Sequence, residues 1–472
     1  MINFKKTIFI LFIALSFGLR AGNVHIFGEA KEYASNTIIF YKYSDRITFI
    51  KKQLFELEID KDGKFDVNFE VDDITYVFAE FGIYHAYFYA EPDASYELIL
   101  PPFQEKSLSD IFNPFFSSET IQIGIKNMQP TDLNYLILDF DYYYFRYLDL
   151  KYIELYVNGL QTDVDTFITE INSKFNNYDN QYFQDYKKYR IAALKNIATQ
   201  KQYEDQIVYS YYTKAPVLYD NPAYMDLFNN IYAKYFDLLL VAPHGDFLYA
   251  IITYGHSISR LKKFLSRNLS LRNNQFQELV ILKGLNDAFG GGNFQWLPLL
   301  LTLDSVHLST QYPFHQDVAQ NIADNVLSMA KGTIAPPFEL PDTAGEMHSL
   351  KEFKNKYTYI QFANTKTYSC QLEFAMMGNL HKRYKEVCNF VTILTDSDIE
   401  SAKAYINKNE FGWTFLFTEI NSQTISTYKI DTYPTYFLVD TRGSLLMSPA
   451  PSPSENFEKY FFKYVEDKLP KK

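Results

Sequence analysis

Cysteine, long apolar segments and excess positive charge are scarce in this sequence. Its 472 residues include only two cysteines, and 45 Lys and Arg are outnumbered by 56 Asp and Glu, which gives a net charge of −11. Such an acidic chain offers no cationic field for phosphate, so nucleic acid is not an expected partner. After residues 1–21 no segment is apolar enough to cross a bilayer, so the chain is predicted not to span a membrane.

Patterns that bind metals or cofactors are also missing. The eight histidines are scattered without the spacing of a ligand set, so no metal site is predicted. The sequence GHSIS at residues 255–259 is similar to a nucleophile elbow but lacks its last glycine. The glycines at residues 290–292 lack the Lys-Ser/Thr pair of a phosphate loop. No cofactor is therefore expected.

The N-terminus has the order of a signal peptide. Two lysines at residues 5–6 precede an almost wholly apolar run at residues 8–17, which is too short to span a bilayer. Cleavage is predicted after Gly18 or Ala21, so residues 1–21 are assigned to the signal peptide. No cysteine lies near either position, which excludes a lipoprotein anchor. The mature protein is predicted to be soluble and exported to the periplasm.

An exported chain usually pairs its cysteines, but the spacing here opposes a disulfide. If a helix fills the interval between Cys370 and Cys388, their Cα atoms stand more than about 20 Å apart at ~1.5 Å per residue. A disulfide requires Cα atoms within about 7 Å of each other. Both cysteines are therefore predicted to be free thiols.

Three segments follow the signal peptide. Residues 22–103 alternate between apolar and polar positions in six or seven short runs, which predicts a β-sandwich. The pair Asp62-Gly63 predicts a hairpin between two of these strands. Residues 104–331 switch to a helical period, with tyrosines and phenylalanines recurring at intervals of three and four, and form a predicted helical domain.

Residues 332–472 read as an α/β domain. Strands are predicted at residues 357–363, 390–394 and 435–439, with helices between them, in the order βαβα followed by ββα. The helix after the first strand is predicted to bury one apolar stripe, formed by Leu372, Met376, Leu380, Tyr384 and Val387. This order is that of a thioredoxin core.

Three separated motifs in this last segment resemble redoxins and TlpA-type thiol-disulfide proteins. They are GTIAPPFEL at residues 332–340, FANTKTYSCQLE at residues 362–373 and YPTYFLVD at residues 433–440. The resemblance implies a thioredoxin-like fold in which Pro434 is a cis-proline that faces the active site. We therefore take Pro434 as a candidate site residue.

The first segment carries a resemblance of its own. The sequences IDKDGKF at residues 59–65 and FYAEPD at residues 88–93 resemble an uncharacterised β-domain. That domain often precedes exported thioredoxin-like domains. The resemblance covers the whole of the predicted sandwich.

The middle motif departs from the family at the site itself. The family pattern is Phe-Trp-Ala-x-Trp-Cys-x-x-Cys-x-x-Glu, and Phe362, Cys370 and Glu373 match it, while Thr367 stands where the first cysteine should be. In the family, the first cysteine lies at a helix N-terminus and attacks as a thiolate, and the second resolves the mixed disulfide. A threonine hydroxyl stays protonated at neutral pH. Dithiol–disulfide turnover is therefore predicted to be absent.

Two interpretations of this site remain open. In the first, the domain is a non-catalytic thioredoxin fold that binds a protein partner or acts as a scaffold. In the second, Thr367 and Cys370 form the Thr-x-x-Cys of peroxiredoxins, and Cys370 is a one-cysteine thiol peroxidase. Against the second, Ala363 stands where peroxiredoxins have proline, and neither Arg383 nor Arg442 matches their arginine. The first is favoured, because a fold does not guarantee its ancestral activity.

The pKa of Cys370 separates the two interpretations. A helix N-terminus lowers the pKa of a nearby thiol, whereas an apolar setting raises it by disfavouring the charged form. Because no arginine or histidine can be placed beside the sulfur, we expect burial to have the larger effect. Cys370 is then predicted to alkylate slowly near neutral pH and to resist hydrogen peroxide.

A third class of function follows from the aromatic content. The chain has 40 Tyr and 42 Phe, which would suit a surface that binds sugars or peptides. An exposed aromatic groove would support this function, and buried rings would oppose it.

Overall fold

The structure, a computed structural model, describes residues 22–465 except 108–109, 111–112, 114–115, 160 and 421. The predicted signal peptide lies outside the described residues. The chain forms two compact units. The first combines the chain up to Gln104 with Ser118–Asn230, and the second combines Glu105–Ser117 with the chain from Ile231 onward.

The first unit begins with a β-sandwich. Its strands are β1 (Gly22–Glu29), β2 (Thr37–Tyr43), β3 (Lys51–Glu58), β4 (Lys64–Val71), β5 (Thr75–Phe81), β6 (Tyr84–Ala90), β7 (Ser95–Ile99), β8 (Glu119–Gln122) and β9 (Gly124–Ile125). One sheet has the order β4-β1-β7-β9 and the other the order β3-β2-β5-β6-β8. Alternate side chains of both sheets, such as Val24, Phe40 and Phe88, are buried in one core, as the alternation predicts.

The turn at Asp62-Gly63 does not close the predicted hairpin. Strand β3 pairs with β2, and strand β4 pairs with β1, so this turn carries the chain from one sheet to the other. Gly63 has φ +83°, a conformation that favours glycine. Turn residues therefore mark where the chain reverses but do not specify the partner of the next strand. The two short strands β8 and β9, beyond residue 103, complete the sheets and are too short to show a period.

Helices make up the rest of the first unit. They are α1 (Leu133–Asn158), α2 (Gln161–Phe175), α3 (Gln181–Ala198), α4 (Glu204–Tyr211) and α5 (Pro222–Ile231). The side chain of Asn134 in α1 accepts a hydrogen bond from the Tyr89 N–H and donates one to the Tyr89 carbonyl, both at 2.8 Å. This pair fixes the start of α1 against strand β6.

Aromatic rings fill the interior of these helices. Tyr189, Tyr212 and Tyr224 are buried, and their ring centroids lie 4.7–5.3 Å apart. Buried hydroxyls of this kind need partners, and Tyr189 and Tyr212 donate to the backbone carbonyls of Tyr211 and Tyr224. At these positions the aromatic content builds the core rather than a binding groove.

The second unit opens with further helices. They are α6 (Tyr235–Val241), α7 (Gly245–Ala250), α8 (Ile258–Leu265), α9 (Asn274–Gly291), α10 (Trp296–Ser309) and α11 (Pro313–Leu327), with a π-helical turn at Ile251–Gly255 between α7 and α8. The buried carboxylate of Glu278 in α9 lies 2.6 Å from Lys262 Nζ and 2.9 Å from His315 Nδ1. It also accepts a hydrogen bond from the Thr310 hydroxyl. This cluster joins α8, α9 and α11.

The second unit ends in a thioredoxin-like α/β domain. Its elements are β10 (Glu339–Pro341), β11 (Met347–Ser349), β12 (Tyr357–Ala363), α12 (Tyr368–Tyr384), β13 (Cys388–Leu394), α13 (Ile399–Lys408), β14 (Thr414–Phe417), α14 (Gln423–Thr427), β15 (Thr435–Val439), β16 (Leu445–Met447) and α15 (Phe457–Val465). The main sheet has the order β14-β13-β12-β15-β16. Strands β12, β13 and β14 are parallel, and β15 and β16 are antiparallel to their neighbours. Buried apolar clusters cover both faces of this sheet.

Two local predictions in this domain were wrong. Leu372 and Met376 of the predicted buried stripe are 53% and 42% exposed, whereas Phe374 and Met377 are buried. Both stripes are apolar, and only the orientation of α12 on the sheet decides between them. The predicted order also lacked β14 and α14, which are four and five residues long and leave little periodic signal.

The predicted fold class is confirmed, with an N-terminal β-rich region, a helical middle and a C-terminal thioredoxin-like domain. The predicted domain boundaries, 22–103, 104–331 and 332–472, stay predictions. No single helix of the described chain is long and apolar enough to cross a membrane. One bent pair of neighbouring segments, Pro222–Val241 with Gly245–Gly255, passes that test on length and composition alone.

Candidate functional site

The candidate site begins in the loop between strand β12 and helix α12. The backbone N–H of Thr365 donates to Asp396 Oδ2 at 3.0 Å, and the Thr365 hydroxyl also donates to this carboxylate. Asn364 Oδ1 accepts a hydrogen bond from the Lys366 N–H at 3.0 Å. Because Asp396 follows strand β13, these bonds fix the loop to the end of the neighbouring strand. The loop delivers Thr367 to the start of α12.

Thr367 occupies the position that precedes the first turn of α12. Its φ and ψ are −87° and 122°, and its side chain makes no capping hydrogen bond. Its hydroxyl oxygen is buried and has no hydrogen-bond partner among the described residues. A threonine at a helix start commonly accepts a hydrogen bond from the backbone two or three residues on. Here this residue therefore contributes neither a thiol nor a cap.

Cys370 lies one turn further along α12, facing the core. It is 0% exposed and belongs to the same apolar cluster as Phe374 and Met377. Burial raises the pKa of the Cys370 thiol to about 12, although a hydrogen bond with the Asn364 backbone acts in the opposite direction. The shift has the direction predicted from the sequence, and a thiol with this pKa is neutral at physiological pH.

The second cysteine offers Cys370 no partner. Cys388 is the first residue of strand β13 and is buried, and both cysteines are free. Burial raises the pKa of the Cys388 thiol as well. The prediction of two free thiols is confirmed.

Pro434 lies beside the start of α12. The Tyr433–Pro434 peptide bond is cis, and the Ser369 hydroxyl donates to the Tyr433 carbonyl at 3.3 Å. Because Ser369 lies between Thr367 and Cys370 in the chain, the fold brings all three predicted site residues to one end of the main sheet. The motif order seen in the sequence thus corresponds to one place in space.

An open cavity of about 680 Å³ lies next to Pro434. Its lining includes Ser369, Glu373, Thr432, Pro434, Tyr436 and Ser454. Neither Thr367 nor Cys370 lines it. The accessible part of the site therefore lies beside the predicted Pro434 and away from the sulfur, and other lining residues, such as Thr432, Tyr436 and Ser454, were not singled out from the sequence.

Glu373 closes one side of this cavity. It is 8% exposed, and its carboxylate accepts hydrogen bonds from the Ser454 N–H, at 3.2 Å, and from the Ser454 hydroxyl. Ser454 lies between Ser452 and Glu455, which have the spacing of a capping box, and the Ser452 N–H donates to Glu455 Oε2 at 2.8 Å. This spacing is a local pattern of the sequence. The contact of Ser454 with Glu373, 81 residues away, leaves no local signal.

A chain of buried hydrogen bonds reaches the cavity from across the sheet. Trp413 Nε1 donates to the Thr392 hydroxyl at 2.9 Å, and this hydroxyl donates to Gln361 Oε1 at 2.8 Å. Gln361 Nε2 donates to the Tyr436 hydroxyl at 2.9 Å. These hydrogen bonds fix the ring of Tyr436, which lines the cavity. They were not predicted, because Gln361, Thr392 and Tyr436 lie on three different strands and Trp413 precedes a fourth.

The arginines of the domain are occupied elsewhere. Arg383 forms an ion pair with Glu458 at 2.5 Å, and Arg442 forms one with Asp440 at 3.3 Å. Neither lines the cavity, and neither contributes to the pKa shift of Cys370. Within the described part of the domain, the thiol therefore has no guanidinium to stabilise its thiolate.

One group of side chains has the composition of a metal site. Ligand atoms of Asp342, Glu346 and His348 lie within 4.8 Å of one another. Asp342 Oδ1 accepts hydrogen bonds from the N–H groups of Ala344 and Glu346, and His348 Nδ1 lies 2.9 Å from Glu352. The first two bonds belong to the turn between β10 and β11, and the third joins β11 to the helical turn Leu350–Phe353 that follows it, so no metal is assigned to this group.

The topology and the site together define a class of protein. Parallel strands β12, β13 and β14, the antiparallel pair β15 and β16, and a cis-proline beside the start of α12 are the features of a redoxin domain with the thioredoxin fold. The family model described as AhpC/TSA matches residues 331–447.

Individual relatives agree with this class. The thiol-disulfide oxidoreductase ResA of Geobacillus kaustophilus is 30% identical over 121 residues, which cover 25% of this chain and 68% of that protein. ResA of Bacillus subtilis is 30% identical over 121 residues, which cover 25% of this chain and 66% of that protein. Through this C-terminal region the chain belongs to the thioredoxin-like thiol-disulfide oxidoreductase family.

Solved structures of similar domains include two from Bacteroides. A thiol:disulfide interchange protein from Bacteroides sp. is 22% identical and covers 29% of this chain and 92% of its own, with a TM-score of 0.28. A thiol-disulfide oxidoreductase from Bacteroides fragilis is 27% identical and covers 27% of this chain and 98% of its own, with a TM-score of 0.26.

Proposed function

We propose that this chain is an exported thioredoxin-fold protein that binds a protein segment beside Pro434 and does not exchange disulfides. The observation that carries the proposal is the state of Cys370. Its sulfur is fully buried, and burial raises its pKa to about 12. Disulfide exchange requires an accessible thiolate. Thr367, at the position of the family's first cysteine, has no sulfur to supply one.

The cavity beside Pro434 supports the binding role. Its lining combines hydroxyl groups of Ser369 and Thr432 with the apolar surfaces of Pro434, Tyr436 and Pro449. A site of this size with a few polar groups among apolar ones suits an extended segment of polypeptide. The hydrogen bonds that fix Tyr436 and Glu373 keep the lining ordered before a ligand arrives, which lowers the entropic cost of binding.

Export is part of the same proposal and depends on residues 1–21. The short positive stretch and the apolar run that follows it are typical of a cleaved signal peptide. Expression in a Gram-negative host, followed by fractionation, should place the protein in the periplasmic fraction. N-terminal sequencing should find a first residue of Leu19 or Gly22, and an intact Met1 in the cytoplasmic fraction would contradict export.

The turnover test uses reduction of insulin disulfides by dithiothreitol. The native chain should give the same rate as a Cys370→Ser control, because no thiolate is available to attack. The Thr367→Cys variant restores the cysteine pair and should raise the rate above both. Turnover by the native chain above the Cys370→Ser control would contradict the proposal.

The binding test uses a fluorescently labelled, reduced and carboxymethylated unfolded protein as the probe. Thr432→Arg places a large side chain at the cavity lining and should weaken binding at least about tenfold, because the probe and the arginine compete for one space. Ser426→Arg is the matched control, since Ser426 is exposed and does not line the cavity. Equal affinities of the two variants would contradict a binding site at the cavity.

The runner-up function is a one-cysteine peroxidase, which the Thr-x-x-Cys spacing favours. It requires Cys370 to react with hydrogen peroxide and form a sulfenic acid. The buried sulfur and the two occupied arginines oppose it. Mass spectrometry after peroxide treatment distinguishes the functions, because a sulfenic acid at Cys370 would replace the binding proposal with the peroxidase.

A further inference from the structure

One segment of the second unit is basic, although the chain as a whole is acidic. Residues 238–272 contain five basic residues and one acidic residue, Asp246, within a chain of net charge −11. One of the five, Lys262, faces inward to Glu278. The other four are exposed: Arg260, Lys263, Arg267 and Arg272. Across the described residues none of these four forms an ion pair with a carboxylate.

Large apolar side chains are exposed in the same stretch. Val241 is 87% exposed and Tyr254 is 76% exposed, and Phe247 and Leu269 are also more than half exposed. Ordinary soluble surfaces carry such residues singly, and a contiguous group indicates an interaction site. These side chains come from α6, α7, the π-helical turn and a short 3-10 helix, Leu269–Leu271, that follows α8.

Contacts within the unit place the cations beside the apolar side chains. The guanidinium of Arg267 lies 5.9 Å from the ring centroid of Phe247. The guanidinium of Arg260 lies so near the backbone at Gly255 that an added Cβ there would be 3.5 Å from its Nη1. Arg267 therefore lies beside the exposed ring of Phe247, and Arg260 lies beside the residue that follows the exposed Tyr254.

Ring contacts connect Tyr254 to the segment that precedes helix α10. Tyr249 lies 6.4 Å from Tyr254 and 5.7 Å from Phe294 between ring centroids. Two residues after Phe294, α10 begins with Trp296, and Trp296 and Leu297 are about half exposed. We define the basic–aromatic face as Val241, Phe247, Tyr254 and Trp296 with Arg260, Lys263 and Arg267.

We propose that the basic–aromatic face docks the protein on the surface of a bilayer that contains anionic phospholipids. Its cations would lie at the headgroup phosphates, and its apolar side chains would enter the boundary between headgroups and acyl chains. Tryptophan and tyrosine favour that boundary, because their rings are apolar and carry one polar group. The charge complementarity selects a lipid surface over a second copy of this chain, which would bring cations against cations.

The test is co-sedimentation of the full chain with vesicles. Binding is expected to equimolar phosphatidylglycerol and phosphatidylcholine but not to phosphatidylcholine alone, and it should weaken in 0.5 M salt, which screens exposed charges. The triple variant Arg260→Glu, Lys263→Glu and Arg267→Glu should lower the partition coefficient on the order of 100-fold. The double variant Val241→Ser and Tyr254→Ser should lower it about tenfold.

A matched triple variant controls for net charge. Lys61, Lys382 and Lys408 are exposed cations outside the face, and their replacement by glutamate should leave partitioning within about threefold of the native value. All variants retain residues 1–21, so any contribution of that apolar run cancels. Circular dichroism melting checks that each variant is folded.

Three results would overturn the proposal. The first is equal binding of the native chain to vesicles with and without phosphatidylglycerol. The second is an equal loss of binding in the control triple variant. The third is a dimer by light scattering that dissociates in the Val241→Ser, Tyr254→Ser variant while the native chain ignores vesicles, because it would assign the face to a second copy.

Discussion

Two buried acids in the second unit, Cys370 and Glu278, are held in opposite states. Burial by itself raises the pKa of both groups, because it disfavours the charged form. At Cys370 burial prevails, and the pKa rises to about 12. At Glu278 hydrogen bonds from His315, Lys262 and Thr310 outweigh burial and lower the pKa to about 2.

The difference shows what a reactive thiol would need in this fold. Glu278 stays charged because two basic side chains and a hydroxyl converge on its carboxylate. Cys370 has an apolar cluster on one side and Asp396 nearby, whose charge raises the pKa further. A helix start is therefore not sufficient to activate a sulfur that points into the core. The proposed loss of dithiol chemistry thus has a physical basis beyond the absent first cysteine.

The largest expected effect concerns the reactivity of Cys370. In a Cys388→Ser background, iodoacetamide should alkylate Cys370 at pH 7 at least about 100-fold more slowly than an exposed thiol, because a pKa near 12 leaves almost no thiolate. The matched control is Ser369→Cys in a Cys370→Ser, Cys388→Ser background, since Ser369 is exposed. A half-maximal alkylation rate for Cys370 below pH 8 would mean that burial does not raise the pKa of this thiol, and the contrast with Glu278 would then be wrong.

The next effect is on stability at Glu278. Glu278→Gln removes the charge that Lys262 and His315 contact and leaves a buried cluster without its anion. We expect a loss of about 3 kcal/mol in the free energy of unfolding, measured by urea denaturation at pH 7. Asp317→Asn, at an exposed position in α11, is the control and should change it by less than about 0.5 kcal/mol. Equal effects would mean that the cluster contributes nothing.

The contrast between these two groups could be foreseen from the sequence only in part. The placement of Cys370 beside Pro434 follows from three motifs in a fixed order, because their spacing corresponds to one known topology. The raised pKa of Cys370 was predicted, but the helix face that is buried with it could not be read from periodicity, since the stripe with Leu372 and the stripe with Phe374 are both apolar. Only the packing of α12 on the sheet chooses between them.

Long-range polar contacts could not be predicted from the sequence. Glu278 lies 37 residues from His315, and Glu373 lies 81 residues from Ser454, so neither pair leaves a local pattern. The same holds for the strand partners of β3 and β4, where a turn motif fixed the reversal but not the pairing. Local chemistry predicted the elements and their order, and tertiary contacts decided which groups are buried, paired or charged.

The smallest expected effect comes from a third acid, the partly buried Asp141 in α1 of the first unit. The Tyr186 hydroxyl lies 2.8 and 3.0 Å from its two carboxylate oxygens, and Arg190 donates to the same hydroxyl. Burial raises the pKa of Asp141 to about 6, although Arg190 and Tyr186 act in the opposite direction. The pKa of Asp141 is therefore raised, as that of Cys370 is, because its hydrogen-bond donors are too few to offset burial as they do at Glu278.

The sign of its effect on stability is opposite to that of Glu278. An unfolded aspartate loses its proton near pH 4, whereas folded Asp141 keeps it until about pH 6, so its contribution to stability falls as the pH rises from 4 to 6. Glu278, with a folded pKa of about 2, instead loses its contribution as the pH falls from about 4 to 2. Asp141→Asn should remove about 2 kcal/mol of pH dependence between pH 4 and 6, measured by urea denaturation. Asp149→Asn, exposed on the same helix, is the control and should retain the native dependence of stability on pH. A native stability that does not change between pH 4 and 6 would mean that folding does not raise the pKa of Asp141.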